Sequence, residues 1–228
     1  MNVSFHMSDR YRSRYPEVGF GLVLVTGCEN PDNPEGFDAF KRKLLRRMRK
    51  RETLAEITDR IATYDRYFSG FGRECPLPGH LKRTVNSGFP RYNLLVDAHF
   101  MAEMCAGILV AVTDFDRMEG GLTLDLAEEG ETCPGMGGRE MQTREGEIVL
   151  RDEAGIVCVL CQGADEKTRV REETKNVLFY AYGVPEVSSE HLLHGLRVAE
   201  EAVVTFGGGT SRGVRVVQPD GSEAGGTG

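Results

Sequence analysis

The sequence predicts an α+β fold with a β-rich core and flanking helices. Up to about residue 107, apolar residues recur mainly at helical spacing. From Ile108 onward, short apolar runs alternate with turns rich in glycine and acidic residues, which is typical of strands. One amphipathic segment follows the last strand. Helices, then strands, then a final helix favour the α+β class over a doubly wound α/β fold.

Residues 1–78 are predicted to be an N-terminal strand and a helical leader that pack on the core. The apolar run at 19–28 is typical of a strand. Residues 41–51 form a predicted helix with a narrow apolar stripe, and residues 53–68 form a second helix with apolar residues at helical spacing. A segment rich in glycine and proline ends this leader.

Residues 79–207 are predicted to form the central domain. A helix at 94–107 precedes the sheet, and a last helix follows Ser188 and ends at Gly207. The predicted strands lie in ILVAVTDFD, LTLDLAEEGE, GEIVLRD, GIVCVLC and VLFYAYG, with RDEAGI as a hairpin turn. Residues 208–228 are rich in glycine and polar residues, so they are predicted to be a disordered tail.

The composition is that of a globular protein with a hydrophobic core. The chain has 228 residues, of which 40% are apolar, enough for one large domain or two small ones. No apolar stretch approaches the ~20 residues of a membrane-spanning helix. The N-terminus also lacks the apolar segment of a secretory signal peptide. We therefore expect a cytoplasmic protein with no membrane partner.

One short segment concentrates positive charge. Eight of the eleven residues in KRKLLRRMRKR, 41–51, are lysine or arginine, and removing this +8 from the net charge of −7 leaves −15 for the rest of the chain. A single basic patch on an acidic protein favours docking of one polyanion in one orientation. The residues expected to contact RNA are Lys41, Arg42, Arg46, Arg47, Arg49 and Lys50. The alternative is a solvated helix face without a partner.

The cysteines and histidines form no recognisable metal or catalytic motif. Only Cys158 and Cys161 make a C-x-x-C pair, and side chains three apart on a strand point to opposite faces. We therefore expect reduced structural cysteines and no metal. None of the five histidines suggests a catalytic base, and His99 is interpreted as a satisfied or surface residue of a helix. Nucleotide-binding glycine motifs are missing, so no cofactor is expected.

Several segments, taken in order, resemble the B3/B4 domain, the tRNA-editing domain of the bacterial phenylalanyl-tRNA synthetase β subunit. They are NLLVDAHFMAEMCAG, DFDRMEGGLTLDLAEEGE, GMGGRE, GEIVLRDEAGIVCVLC and TRVREETKNVLFYAYGVPEVS. The match spans about residues 80–185, and the preceding helices resemble the leader of free-standing B3/B4 proteins. Since nothing in the chain resembles the class II aminoacylation motifs, it is not expected to charge tRNA.

The resemblance implies an activity and a set of site residues. In the synthetase, this domain hydrolyses tyrosine wrongly attached to phenylalanine tRNA, in a pocket among strand ends. By position, Glu166 resembles the glutamate that accepts the tyrosine hydroxyl, and the trio Thr174, Lys175 and Asn176 resembles the adjoining strand mouth. The implied catalytic residues are Glu166, Thr168 and Thr174, and the implied substrate-binding residues are Asn93, Ala111, Thr113 and Asn176.

The sequence departs from the family within this site. Ala111 stands where the synthetase has a histidine, with Thr113 beside it, and Phe100 stands where the helix usually has an asparagine. Two functions therefore remain, a trans-acting hydrolase that removes a wrong amino acid from tRNA and a module that binds tRNA or an amino-acid-like ligand without turnover. Positioned water and backbone donors can hydrolyse an activated ester without the histidine. The expected partner is mischarged aminoacyl-tRNA, while its amino acid and the oligomeric state stay open.

Overall fold

The computed structural model describes residues 3–226 and has the predicted α+β architecture. The helices are α1 Asp9–Arg14, α2 Phe37–Met48, α3 Arg51–Gly70, α4 Leu77–Ser87, α5 Leu94–Ala106 and α6 Ser189–Gly207. The strands are β1 Phe5–Met7, β2 Phe20–Thr26, β3 Leu109–Asp114, β4 Leu122–Leu126, β5 Thr132–Pro134, β6 Glu140–Gln142, β7 Ile148–Asp152, β8 Gly155–Val159, β9 Gly163–Ala164, β10 Val177–Tyr182, β11 Thr210–Val217 and β12 Glu223–Gly226. The fold class is confirmed, and every strand predicted between residues 19 and 182 is present.

The first sheet has the strand order β12-β11-β2-β10-β3, and neighbouring strands run antiparallel. Strand β10 is buried along its whole length because it lies between β2 and β3. Helix α6 packs on β2, β10 and β11, and α5 packs between α6 and β3. The strand of the N-terminal leader is therefore at the centre of the core sheet.

The second sheet has the order β1-β4-β7-β8-β9. Its centre is the β7–β8 hairpin predicted at RDEAGI, where Asp152 pairs with Gly155. Strand β1 and the short helix α1 were not predicted from the sequence. They are held by Ser8, which accepts a hydrogen bond from the N–H of Tyr11, and by Tyr11, whose hydroxyl donates to the carbonyl of Val18 at 3.1 Å.

The prediction of a disordered tail at 208–228 is wrong for the described residues up to 226. Strand β11 extends the first sheet by pairing with β2, and it buries Val214 and Val216 against the core. Strand β12 then pairs with β11, and Gly225 makes this possible. Its φ is +127°, and a Cβ there would lie 2.2 Å from the carbonyl oxygen of Val214. Residues 227–228 lie outside the described residues.

Lys41 does not belong to the exposed basic surface, which corrects its predicted role in RNA binding. It lies on the buried face of α2 together with Phe37, Leu44 and Met48, since all four follow helical spacing. Its ammonium forms an ion pair with Asp97 of α5 and donates to the carbonyl of Pro90 at 3.1 Å. Lys41 therefore fastens α2 to α5.

Candidate functional site

A pocket of about 630 Å³ opens between α4, α5, the middle of β3 and the segment from β8 to β9. Small-molecule sites occupy ~300–1,000 Å³, so the volume suits a ligand of that size. Most of the wall is apolar, formed by residues such as Phe68, Val96, Phe100, Leu109 and Leu160. A smaller number of polar and charged side chains share this lining, which is the usual composition of a site that orients its ligand.

The polar wall consists of one carboxylate between two imidazoles, His80, His99 and Glu103, here called the His–Glu–His wall. Helix α5 supplies His99 and Glu103 one turn apart, and α4 supplies His80. The ring atom Nδ1 of His80 lies 3.4 Å from Oε2 of Glu103, and Nε2 of His99 lies 3.5 Å from Oε1. His99 also bonds the carbonyl of Val110 at 2.8 Å through the same nitrogen.

Burial and neighbouring charges shift the pKa values of His99 and Glu103 in opposite directions. Burial lowers the pKa of His99, but the charge of Glu103 and the hydrogen bonds to Glu103 and Val110 outweigh burial and raise the pKa. Burial alone would raise the pKa of Glu103, but the two imidazoles bring it below its ordinary value. Glu103 is therefore ionised at neutral pH although its side chain is only 3% exposed.

The hydrogen bonding of the wall is incomplete. Among the described residues, neither Nδ1 of His80 nor Oε2 of Glu103 makes a hydrogen bond of good geometry, although both atoms are buried. Such groups are rare in folded proteins, because an unpaired buried polar atom costs ~1–3 kcal/mol. Phe100 keeps the arrangement in place, since its ring contacts both imidazoles, at 5.2 Å from His80 and 4.9 Å from His99 between centroids.

The facing wall and the mouth have different chemistry. Cys158, Cys161 and Tyr182 line the facing wall. Burial raises the pKa of the Cys158 thiol to about 12, so it is protonated and not a nucleophile at neutral pH. At the mouth, Arg169 pairs with Glu166 at 2.6 Å, and Arg139 donates to the carbonyl of Gln162 at 2.6 Å.

Of the residues predicted to contact substrate, Ala111 lines the pocket. Thr113 is two residues further along β3 and is buried, and its hydroxyl has no partner among the described residues. Asn93 caps α5 by accepting a hydrogen bond from the N–H of Val96 at 3.0 Å. Glu166 lies beside the mouth, where it accepts a hydrogen bond from the N–H of Gly137 at 3.0 Å.

The other predicted residues form a separate cluster at the start of β10. Thr174 donates to Asp114 at 2.8 Å and accepts a hydrogen bond from the N–H of Arg171. Asn176 donates to Asp116 and accepts from the N–H of Gly27. The hydroxyl of Thr168 donates to Asp165. The side chains of Thr168, Thr174 and Asn176 do not line the pocket. Their hydrogen bonds fix the loop that precedes β10.

The basic segment covers the surface of α2 and the turn after it. Arg42, Arg46, Arg47 and Lys50 are exposed, here called the basic face of α2. Arg49 is exposed as well, but its guanidinium donates to the carbonyl of Val85 in α4. Helix α4 therefore connects the basic face of α2 with the pocket, because it also carries His80.

The sequence interpretation missed the His–Glu–His wall. The spacing of His99 and Glu103, four residues apart on a predicted helix, placed both on one face and was the available signal. Nothing local pointed to His80, because it reaches Glu103 only through the packing of α4 on α5. No group of side chains in residues 3–226 is arranged to hold a metal ion. Within the same residues, no helix is long and apolar enough to span a membrane.

Comparisons with known proteins identify the family to which this fold belongs. The family model of the B3/4 domain matches residues 62–210. Among curated relatives, the phenylalanine–tRNA ligase β subunit of Mycoplasma pneumoniae is 26% identical over 95 residues, which are 42% of this chain and 12% of that protein. The same subunit of Pectobacterium atrosepticum is 33% identical over 85 residues, which are 36% of this chain and 11% of that protein. The chain thus spans only a small part of the relatives it matches.

A solved structure resembles the whole chain. It is the crystal structure of an N-terminal fragment of the phenylalanyl-tRNA synthetase β subunit from Pyrococcus horikoshii, with a TM-score of 0.56 and 17% sequence identity. The match covers 100% of this chain and 55% of that fragment. At this identity the likeness concerns the fold.

Proposed function

The chain belongs to the B3/4 domain family, and from this premise we propose that it is a trans-acting deacylase, which hydrolyses the ester bond between a wrong amino acid and tRNA. The pocket is the observation that carries the proposal. It combines a volume of about 630 Å³, a largely apolar wall and a few polar groups on one side. This combination suits the amino acid and the terminal nucleoside of an aminoacyl-tRNA.

The proposed roles follow from position. The apolar wall and Ala111 surround the amino-acid side chain, and Arg139 and Arg169 at the mouth bind the phosphate or ribose of the last nucleotide. Glu166 sets the position of Arg169 through their ion pair. The basic face of α2 holds the phosphate backbone of the acceptor stem, which positions the RNA without reading its sequence.

A binding module without turnover is the second candidate. Ala111 favours it, because a methyl group cannot take a proton or donate a hydrogen bond to a reacting ester. Two hydrogen bonds also favour a binding module. The hydroxyl of Thr168 donates to Asp165 and that of Thr174 donates to Asp114, so neither hydroxyl is free to act on a substrate. Measured turnover separates the two functions.

The test is release of labelled amino acid from a panel of mischarged tRNAs, including tyrosyl-tRNA(Phe), with Ala111→Phe as the pocket-filling variant. The wild type should accelerate hydrolysis of at least one species, and Ala111→Phe should slow it, because the larger ring occupies the pocket. Ala62→Phe, at an exposed position of α3, is the matched control. No acceleration across the panel, with tRNA still bound, would establish the binding module instead.

The basic face of α2 has its own test. Reversing Arg46 and Arg47 to glutamate should weaken tRNA binding and reduce the slope of log K against log salt concentration by about one per lost phosphate contact. Reversing Arg197 on α6 and Arg212 on β11, two exposed arginines, makes the same change in net charge and is the control. An unchanged affinity and salt slope would remove this face from the proposal.

A further inference from the structure

We infer that His80 is the general base of this pocket and that Glu103 is the residue that positions it. This inference rests on the proposed deacylase function and adds to it the group that activates water. Neither residue belongs to the set that the sequence indicated. The two lie on different helices and meet only at the pocket wall.

The geometry distinguishes the two ring nitrogens of His80. Nδ1 is buried and lies 3.4 Å from Oε2 of Glu103, so the carboxylate favours a proton on Nδ1. No hydrogen bond to the other nitrogen, Nε2, is found within residues 3–226, and the side chain, which lines the pocket, is 22% exposed. A base needs this arrangement, with one nitrogen held by a carboxylate and the other free to accept a proton.

His99 completes the positioning of Glu103. Its Nε2 lies 3.5 Å from the other carboxylate oxygen and also bonds the carbonyl of Val110. This double engagement holds His99 against Glu103 and β3, and the imidazole helps to lower the pKa of the Glu103 carboxyl group. The gap of 3.4 Å between His80 and Glu103 is long for a hydrogen bond, but catalytic hydrogen bonds are often long before substrate binds.

The chemical step balances without a cofactor. Nε2 of His80 takes a proton from water as the water oxygen bonds to the ester carbonyl carbon. The resulting tetrahedral intermediate then breaks the bond between that carbon and the ribose oxygen. The proton on Nε2 passes to the ribose oxygen, which leaves as the free hydroxyl of the tRNA. The amino acid leaves with the second proton of the water on its new carboxyl group and loses that proton to solvent, and Glu103 keeps its charge throughout.

The pH dependence of the reaction is set by the charged groups around the base. Those that face it or share the pocket are Glu103 and His99 on α5, Glu74 just before α4, and Arg73, Arg139 and Arg169 on the other walls. The carboxylate of Glu103 lies 3.4 Å from Nδ1 of the imidazole. Because a general base must be unprotonated, the wild-type rate should depend on pH, and replacing His80 should remove that dependence. Glu103→Gln should lower kcat with KM little changed, because the carboxylate no longer positions the imidazole.

The experiment measures kcat, KM and the pH–rate profile of deacylation for His80→Ala, His80→Asn and Glu103→Gln, with melting curves for each. His194→Ala, at an exposed histidine of α6, is the matched control. We expect both His80 variants to lose ~10²–10⁴-fold in kcat, with KM little changed, and to lose the pH dependence. Should they keep the wild-type rate and profile, the base assignment is wrong while the deacylase function stands. A wild type that hydrolyses nothing overturns the proposed function and this assignment together.

Discussion

Asp152 and Glu103 are both buried carboxylates, with 1% and 3% of their side chains exposed, but their surroundings differ. Asp152, in the β7–β8 hairpin, accepts hydrogen bonds from the N–H groups of Glu119, Ala154 and Gly155 at 2.9–3.1 Å and from the ammonium of Lys167 at 2.8 Å. Glu103 has ring nitrogens at 3.4 and 3.5 Å, and the N–H of Val110 donates to its Oε1 at 3.4 Å. Its Oε2 makes no hydrogen bond among the described residues.

This difference in hydrogen bonding distinguishes a carboxylate that stabilises the fold from one that we propose to act in the pocket. The acceptor capacity of Asp152 is used by the fold, so its loss should cost stability. Oε2 of Glu103 can still accept a hydrogen bond, and Glu103 lines the pocket. The same contrast applies to the polar mouth of β10, where Thr174 and Asn176 are fully bonded although the sequence pointed to them as site residues.

The largest expected loss of stability follows from breaking the buried ion pair between Lys41 and Asp97. Lys41→Met leaves the buried carboxylate of Asp97 without its cation, and breaking a buried ion pair costs ~3–5 kcal/mol. Urea unfolding measures the change in free energy. Arg42→Met, one residue along on the exposed face, is the control and should stay within about 0.5 kcal/mol of the wild type. Equal effects of the two substitutions would mean that Lys41 is not paired as described.

A smaller loss of stability is expected for Asp152→Ala. The substitution removes the acceptor of two backbone N–H groups in the hairpin and of a third at Glu119, and the free energy of unfolding should fall by about 3 kcal/mol. Glu153→Ala, at the exposed neighbouring position, should change it by less than about 0.5 kcal/mol. Deacylation per folded molecule should be unchanged. A fall in that rate at full folding would contradict the separation of the two carboxylates.

The smallest effect is a change in the pH dependence of stability. The lowered pKa of Glu103 stabilises the fold above its ordinary value of 4.5, and this contribution is lost as pH falls through the folded pKa. The raised pKa of His99 stabilises the fold below its ordinary value of 6.5, and this contribution is lost as pH rises through the folded pKa. The pair therefore contributes most between these two values.

Glu103→Gln should remove this contribution. As pH rises from below 6.5, the ordinary value of His99, to well above it, the wild type should lose more free energy of unfolding than the variant. Urea titrations below and above this value measure the difference. Identical pH dependence in both proteins would show that the carboxylate is not coupled to His99.

The sequence predicted the elements well where periodicity is local. The apolar run of β10 and the helical spacing along α3 are both present as expected. The prediction for the tail was wrong because it relied on the glycine-rich composition, which is typical of disorder. The alternation of Val214 and Val216 with polar residues is instead typical of a strand at the edge of a sheet.

The candidate site was harder to predict, because its polar groups come from separate elements. Ala111, to which the resemblance pointed, lines the pocket, and its role in substrate binding stays a prediction. His80 meets Glu103 only when α4 packs on α5, and no spacing within either helix records that contact. Lys41 was misread for a similar reason, since its partner Asp97 is 56 residues away. Charge in the sequence does not tell whether a lysine is exposed or paired.

One side-by-side measurement tests the account most directly: deacylation rate per folded molecule and Tm for His80→Ala and Asp152→Asn. We predict that His80→Ala loses at least about 10²-fold in rate with a Tm near that of the wild type. Asp152→Asn should keep the rate while its Tm falls by ~2–4 °C per kcal/mol of lost stability. The opposite result, an active His80→Ala and a stable but inactive Asp152→Asn, would contradict the assignment of the pocket wall as the reactive site.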